Sequence, residues 1–146
     1  MSIVDSPAAN ETIYSRMGRL LDLNIASEAD TVRIAAQGIS NRSYVRVANK
    51  LRLGASSVAA ASTLRRRLAT KARLTQVESE RVLRLTRVYS EAMQLFGDEK
   101  AALEWLGTPA DYLHNDFPLT PLQLAESDPG ARLVESHIRR TAYGFL

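Results

Sequence analysis

The chain has 146 residues, with 19 Lys/Arg, 16 Asp/Glu, a net charge of +3, 45% hydrophobic residues and no cysteine. Disulfide bonds and thiolate chemistry are therefore excluded, and no apolar run is long enough to span a membrane. The first residues lack the basic-then-apolar pattern of a secretory signal, so we expect a cytoplasmic protein.

The charge is distributed unevenly along the chain. Residues 31–88 hold 13 Lys/Arg against 2 acidic residues, whereas residues 89–146 hold 4 Lys/Arg against 9 acidic residues. A basic block beside an acidic one predicts a nucleic-acid contact in the first region and a different partner in the second.

The N-terminal part predicts a short disordered segment followed by three helices. Residues 1–10 show no periodicity, and an amphipathic helix is expected over residues 11–23. A second helix is predicted from Ser27 to Gly38, and a third from Arg42 to about Leu51. The residues expected to face inward on the second and third helices are Val32, Ile34, Ala35, Val45, Ala48 and Leu51.

The longest predicted helix runs from Thr75 to Gly97 and has a signal at each end. Thr75 and Glu78 have the spacing of a capping box, and Gly97 suits the left-handed position that ends a helix. Before it, residues 56–73 predict a basic helix. After it, short helices are predicted from Asp98, from Thr120 and from Asp128 to Gly144. No stretch alternates as a strand does, so the sequence predicts an all-α fold of seven or eight helices.

Motifs for catalysis or metal binding are not found. The two histidines, His114 and His137, are too far apart in sequence for a local metal motif. Phosphate-cradling glycine loops and nucleophile elbows are also absent from the sequence. We therefore expect no enzymatic activity, no catalytic residue, no metal site and no cofactor.

The basic block carries the rhythm of a helix-turn-helix. Residues 47–54, followed by Val58, place inward residues before a tight turn and an apolar anchor after it. Basic side chains on such helices contact DNA phosphates. The alternative is a solvated basic helix. The predicted DNA-binding residues are Arg46, Lys50, Arg65, Arg66, Arg67, Lys71 and Arg73.

The second half of the chain resembles the toxin-binding domain of the Xre/MbcA/ParS antitoxins. The shared pattern includes the Phe96-Gly97-Asp98 turn, the Trp105-Leu106 pair, Thr120-Pro121-Leu122 and the closing Tyr143-Gly144. This resemblance covers roughly residues 74–146, and Thr63-Leu64 with Arg66-Arg67 is similar to the signature of the family's Xre-like helix-turn-helix. It implies a helical DNA-binding and dimerisation region over residues 11–73, joined by the long helix to a toxin-binding domain over residues 74–146.

The resemblance also implies a function. It points to a type II antitoxin that blocks the active site of a RES-domain toxin, an NAD-consuming or ADP-ribosylating protein, and that represses its own operon by binding operator DNA. NAD would then be a substrate of the partner. A homodimer is expected, with the helix at residues 11–23 or the central helix as its contact, together with a hetero-oligomer with the toxin.

The C-terminal tail is the predicted contact with the toxin. Phe145, Leu146 and the terminal carboxylate are expected to plug the toxin's cleft. The alternative is that the tail folds back or frays. For Trp105 the alternative is a core position, which its apolar helix favours. The predicted toxin-binding residues are Trp105, Arg139, Arg140, Tyr143, Phe145 and Leu146.

Two other functions fit the residues. The chain could be a stand-alone helix-turn-helix transcription regulator whose acidic half dimerises or binds a ligand. It could also be a helical adaptor without a role at DNA, whose arginines are solvent-facing charge.

Overall fold

The computed structural model of the chain describes residues 12–54, 61–111 and 118–142. Over these ranges it is helical, and the extended pairing there is a single bridge between Ala110 and Leu119, so the all-α prediction is confirmed. None of the helices in these ranges is long and apolar enough to cross a membrane. The helices are α1 (Ile13–Leu21), α2 (Glu28–Gln37), α3 (Asn41–Leu51), α4 (Ala61–Thr70), α5 (Gln76–Phe96), α6 (Glu99–Leu106), α7 (Pro121–Leu124) and α8 (Asp128–Ala142).

The long helix α5 has the two ends that the sequence predicts. The Thr75 hydroxyl accepts a hydrogen bond from the Glu78 amide at 3.2 Å, and the Glu78 carboxylate accepts one from the Thr75 amide at 2.8 Å. Gly97 takes the left-handed conformation, with φ of 67°, and its amide donates to the Met93 carbonyl. Both ends satisfy backbone groups that a helix otherwise leaves unpaired.

Helix α5 is also the shared core of the molecule. Helices α1, α2, α3, α6 and α8 all pack against it. Three of its apolar side chains, Val82, Leu85 and Val88, are completely buried. A polar side chain of α5 also contributes to this packing: the Ser79 hydroxyl accepts a hydrogen bond from the Ile39 amide at 2.8 Å. The two halves of opposite charge therefore share one hydrophobic interior.

The basic helix α4 ends earlier than predicted. It was expected to reach Arg73, but it stops at Thr70, and Lys71 follows in the left-handed conformation with φ of 58°. The Ala72 amide bonds to the Arg67 carbonyl at 3.1 Å, which is the pattern of a Schellman helix end. The beginning of the predicted helix and Val58 of the predicted helix-turn-helix lie outside the described residues.

The inward face of α3 differs from the prediction. Val45 was expected inside but is 38% exposed, whereas Ser43, Tyr44 and Val47 are buried together with Leu51. The Ser43 hydroxyl donates to the carbonyl of Leu21 at 2.6 Å, at the end of α1. This contact with a distant part of the chain helps to set the rotation of α3, and it is not visible in the local sequence pattern.

Helix α2 shows a similar difference. Ile34 and Ala35 are buried as predicted, but Val32 is 65% exposed. Val32 lines a cleft of about 490 Å³ that α2 forms with α5 and α8. The predicted apolar side of α2 was therefore one residue too wide.

The turn between α7 and α8 depends on a glycine. Thr120 and Gln123 form a capping box at the start of α7, where the sequence predicts a helix, with bonds of 3.0 and 2.8 Å. At the start of α8, the Gly130 amide donates to the Ser127 hydroxyl at 3.1 Å. A Cβ atom at Gly130 would overlap the backbone carbonyl of Leu124, so the two helices approach closely only because residue 130 has no side chain.

Candidate functional site

Four of the seven predicted DNA-binding residues contact the chain itself. Arg46 donates to the carbonyls of Leu20 and Arg19 at 3.1 and 3.2 Å, at the end of α1. Lys50 bonds to the Glu99 carboxylate at 3.1 Å. Two more form similar bonds: Arg67 pairs with Glu78, and Arg73 donates to the carbonyl of Gly38 at 2.9 Å. These side chains hold helices together, and their role at DNA stays a prediction.

The other three predicted residues form a basic exposed surface. Arg65 and Arg66 lie on α4 and Lys71 lies directly after it, and all three are exposed. Helix α4 is held in place by Arg67 and by Asn41, whose side-chain amide donates to the Arg67 carbonyl at 3.0 Å. Exposed cations on a fixed helix suit contact with phosphates, because such contact needs positive charge within reach rather than a precise donor pattern. We call Arg65, Arg66 and Lys71 the α4 basic surface.

Trp105 forms an aromatic pair with Phe96 at the C-terminal end of α5. Its ring is tilted by 49° against that of Phe96, with 5.9 Å between the ring centroids. Trp105 is half-buried, and Phe96, the last residue of α5, is 36% exposed. The pair is therefore partly in the core and partly at the surface. Aromatic side chains that are partly exposed are common anchors at protein interfaces.

The basic end of α8 lies at the same end of the molecule. Arg84 of α5 donates to the carbonyl of Glu126, just before α8, at 3.1 Å, and further along both helices Glu91 is close to Glu135. Helices α5 and α8 therefore run in the same direction. Because a helix rises by about 1.5 Å per residue, the last turn of α8 is level with the last turn of α5.

Three of the six predicted toxin-binding residues thus lie toward the same end of the molecule. Trp105, Arg139 and Arg140 lie at one end of the α5–α8 pair, and both arginines are exposed. Nearby, burial and the charge of Arg140 lower the pKa of His137, so this imidazole is neutral at pH 7. We call Phe96, Trp105, Arg139 and Arg140 the aromatic–basic end. The other three predicted residues, Tyr143, Phe145 and Leu146, lie outside the described residues.

Sequence reasoning missed a pair of carboxyl groups between α5 and α8. Glu91 lies beside Glu135, and burial, followed by the hydrogen bond and charge of Glu135, raises the pKa of Glu91 to about 8. Arg87 and Arg139 act in the opposite direction. At neutral pH Glu91 therefore keeps its proton and can share it with Glu135. The two residues are 44 positions apart in the sequence, and no local pattern relates them.

A second missed cluster joins α1, α2 and α5. The Tyr14 hydroxyl donates to the Glu28 carboxylate at 2.8 Å, Arg87 pairs with the same carboxylate, and the Arg87 guanidinium lies 5.3 Å from the Tyr14 ring centroid. The hydrogen bond from Tyr14 is the main reason that the pKa of Glu28 is lowered. The cluster stabilises packing. Within the described ranges, no group of three His, Asp or Glu side chains is placed to hold a metal ion.

Comparison with known proteins finds a similar domain in the C-terminal part of the chain. Residues 91–144 match the antitoxin Xre/MbcA/ParS C-terminal toxin-binding domain. This part of the chain is therefore similar to the toxin-binding domain of that antitoxin family, and we call residues 91–144 the Xre/MbcA/ParS domain. The resemblance read from the sequence is confirmed for this domain, which includes α6, α7 and α8 and all four residues of the aromatic–basic end.

The chain is also similar to a curated antitoxin. The chain is 37% identical over 83 residues to "Antitoxin Xre" of Yersinia enterocolitica serotype O:8 / biotype 1B, strain NCTC 13174 / 8081. The match covers 56% of this chain and 54% of the relative, so the chain matches about half the length of that protein. The Xre/MbcA/ParS domain begins at residue 91, within α5, and therefore not at the end of a helix.

The expected dimer contact on α1 is occupied within the chain. Met17 and Leu21 are completely buried, and α1 packs against α3 and α5. The apolar side of this helix is therefore not available to a second copy. The homodimer stays a prediction, and it needs a surface other than the apolar side of α1.

Proposed function

We propose that the chain is the antitoxin of a type II toxin–antitoxin pair and neutralises its toxin through the aromatic–basic end. The match of residues 91–144 to a toxin-binding domain is the observation that carries this proposal. The geometry fits, because a partly exposed aromatic pair and two exposed arginines at the same end of the molecule offer both an apolar anchor and charged hydrogen-bond donors.

The partner in this proposal is a RES-domain toxin that consumes NAD⁺ or transfers ADP-ribose from it. A protein that binds such a nucleotide needs positive or hydrogen-bonding groups in its cleft, and an antitoxin neutralises it by covering that cleft. Phe145, Leu146 and the terminal carboxylate are the part of the chain expected to enter it. The antitoxin itself has no catalytic role in this proposal.

The second part of the proposal is autorepression. The α4 basic surface contacts operator phosphates, and the protein alone or with its toxin represses its own operon. Its support is the charge of residues 31–88 and the exposure of Arg65, Arg66 and Lys71. A plain transcription regulator would use the same surface but would have no toxin as partner.

Two charge-reversed variants test the two parts against each other. Arg139→Glu with Arg140→Glu changes the aromatic–basic end, and Arg65→Glu with Arg66→Glu changes the α4 basic surface. Both pairs are exposed, so both variants are expected to fold. Each variant is co-expressed with the product of the adjacent open reading frame, and growth, co-purification and NAD⁺ content are measured.

The first variant should lose rescue of growth and keep binding to a duplex from its own promoter, whereas the second should show the reverse. A neighbour that is harmless and does not bind the wild-type chain would refute the antitoxin proposal and favour a stand-alone regulator. Deletion of residues 144–146 tests the tail in the same assay. A truncated chain that still neutralises the toxin would contradict the plug.

A further inference from the structure

A small cavity lined mainly by basic side chains lies between α1, α3, α5 and the start of α6. Its volume is about 220 Å³. A water molecule occupies about 30 Å³ in the liquid, so the cavity has room for a tetrahedral oxyanion together with water. The charged and hydroxyl-bearing residues that line it are Arg16, Arg19, Arg46, Lys50, Tyr89 and Glu99.

The cavity has a buried floor and an exposed rim. Arg16 is 3% exposed and Tyr89 is 5% exposed. Arg19, Arg46 and Lys50 are exposed and surround the opening. The rim is fixed in part by Arg46, whose guanidinium donates to two carbonyls at the end of α1. Arginine has five N–H donors, so these two bonds leave donors for a ligand.

The side chains that line the cavity carry more positive than negative charge. Four cationic side chains meet one carboxylate, Glu99, which already accepts hydrogen bonds from Lys50 at 3.1 Å and from Tyr89 at 2.8 Å. The charges of Arg16 and Arg19 both act to lower the pKa of Tyr89, so both guanidinium groups are close enough to influence its hydroxyl. Like charges in a partly desolvated space repel one another, and a bound anion removes that repulsion.

We propose that this cavity binds a phosphate group. The ligand must be a compact anion with several acceptor oxygens, because its partners are guanidinium and ammonium donors from both α1 and α3. A phosphate carries up to two charges and matches the fork of arginine donors better than a monovalent halide does. Residues from α1, α3, α5 and α6 line the cavity. Phosphate binding would therefore stabilise the packing of the N-terminal helices against α5 and α6.

The phosphate can come from two sources. It can be free, as inorganic phosphate or a small phosphorylated metabolite, or it can belong to a DNA backbone. The second source is relevant because Arg46 and Lys50 were predicted from the sequence as DNA-contacting residues. The chemistry recognised by the cavity is the same in both cases.

The test titrates the full-length protein with sodium phosphate, and with sodium chloride at matched ionic strength, by calorimetry and by thermal unfolding. Phosphate should raise the unfolding temperature more than chloride does, because a ligand that binds only the folded state stabilises it. Arg19→Gln with Lys50→Gln should weaken phosphate binding at least about tenfold, since each charge-assisted hydrogen bond contributes on the order of a factor of ten.

Two further variants separate binding from a loss of structure. Glu99→Gln removes the opposing charge and should tighten phosphate binding, which a damaged fold would not do. Arg33→Gln with Arg42→Gln removes two exposed arginines outside the cavity and should leave the affinity unchanged. The proposal is overturned if phosphate raises the unfolding temperature no more than chloride does. It is also overturned if the Arg19→Gln, Lys50→Gln variant binds phosphate as tightly as the wild type and the control variant do.

A competition experiment identifies the source. A duplex from the chain's own promoter is bound to the wild type and to the Arg19→Gln, Lys50→Gln variant, with and without phosphate at constant ionic strength. Displacement of DNA by phosphate from the wild type alone would assign the cavity to a backbone phosphate. DNA binding that ignores phosphate, with phosphate still bound, would assign it to a free anion.

Discussion

Replacing Glu91 by glutamine should stabilise the protein, and the gain should depend on pH. Glu91 is the α5 member of the carboxyl pair with Glu135, and its pKa of about 8 lies well above the ordinary value of 4.5. At neutral and alkaline pH the unfolded chain ionises this group freely, whereas the folded chain must keep it protonated or bury its charge. A glutamine amide imitates the protonated form and can donate to Glu135 at every pH.

The size of the effect follows from the pKa difference. Each unit corresponds to about 1.4 kcal/mol, and at pH 7 the unfolded group has titrated roughly 2.5 units beyond the value of 4.5. The upper limit at pH 7 is therefore about 3.4 kcal/mol. Glu91 is only partly buried, and solvent screening reduces this figure to about 1–2 kcal/mol. Because the pKa of Glu91 is higher in the folded chain, the unfolded chain loses this proton first as the pH rises. The free energy of unfolding therefore decreases between about pH 4.5 and about pH 8.

Urea unfolding at pH 4.5, 7 and 8.5 measures this directly. The Glu91→Gln variant should match the wild type at pH 4.5, be more stable by about 1–2 kcal/mol at pH 7, and gain more at pH 8.5. Glu104→Gln changes an exposed glutamate outside the carboxyl pair and is the matched control. A constant difference at all three pH values, or a variant less stable than the wild type at pH 8.5, would refute the reasoning.

Two further substitutions test the packing by urea unfolding. Arg67→Ala removes the partner of the buried Glu78 carboxylate and should cost about 2–3 kcal/mol, whereas Arg65→Ala, in an exposed position on the same helix, should change stability by less than about 0.5 kcal/mol. Equal effects of the two changes would show that the ion pair contributes nothing. Gly130→Ala places a Cβ against backbone and should cost at least about 2 kcal/mol, but Gly97→Ala meets open space and should cost only the left-handed strain of about 1 kcal/mol. A larger loss at Gly97 than at Gly130 would contradict this account.

Helix ends could be predicted because their signals are local. The capping boxes of Thr75 and Thr120 and the left-handed Gly97 each involve residues within four positions, so the sequence alone specifies them. The all-α class followed from the helical period and the absence of alternation. These features depend little on what the rest of the chain does.

Helix rotation and the carboxyl pair depend on distant residues and could not be predicted. An apolar stripe on α3 can include either Val45 or Tyr44. The hydrogen bond from Ser43 to the end of α1 helps to rotate α3 so that Tyr44, and not Val45, is buried. In the same way, the positions of Glu91 and Glu135 become related only when α8 packs along α5. Local periodicity identifies a helix but cannot choose between two faces of similar apolar content.

The same distinction between local and distant information applies to the candidate sites. The sequence predicted which residues are basic, but it could not show that Arg67 is engaged with Glu78 while Arg65 and Arg66 remain exposed. It placed Trp105 in the toxin-binding set without its partner Phe96, because the ring contact spans the turn at Gly97. Exposure and partners are properties of the folded chain.

The central position of α5 has a consequence for how long the protein survives in a cell. Because α1, α2 and α3 cover one part of α5 while α6 and α8 cover another, the described helices should melt in a single cooperative transition. Proteolytic loss of residues 12–54 would remove three helices that pack against α5, expose part of its apolar surface and destabilise the Xre/MbcA/ParS domain as well. Cleavage far from the aromatic–basic end would then be enough to shorten the lifetime of the domain that carries it.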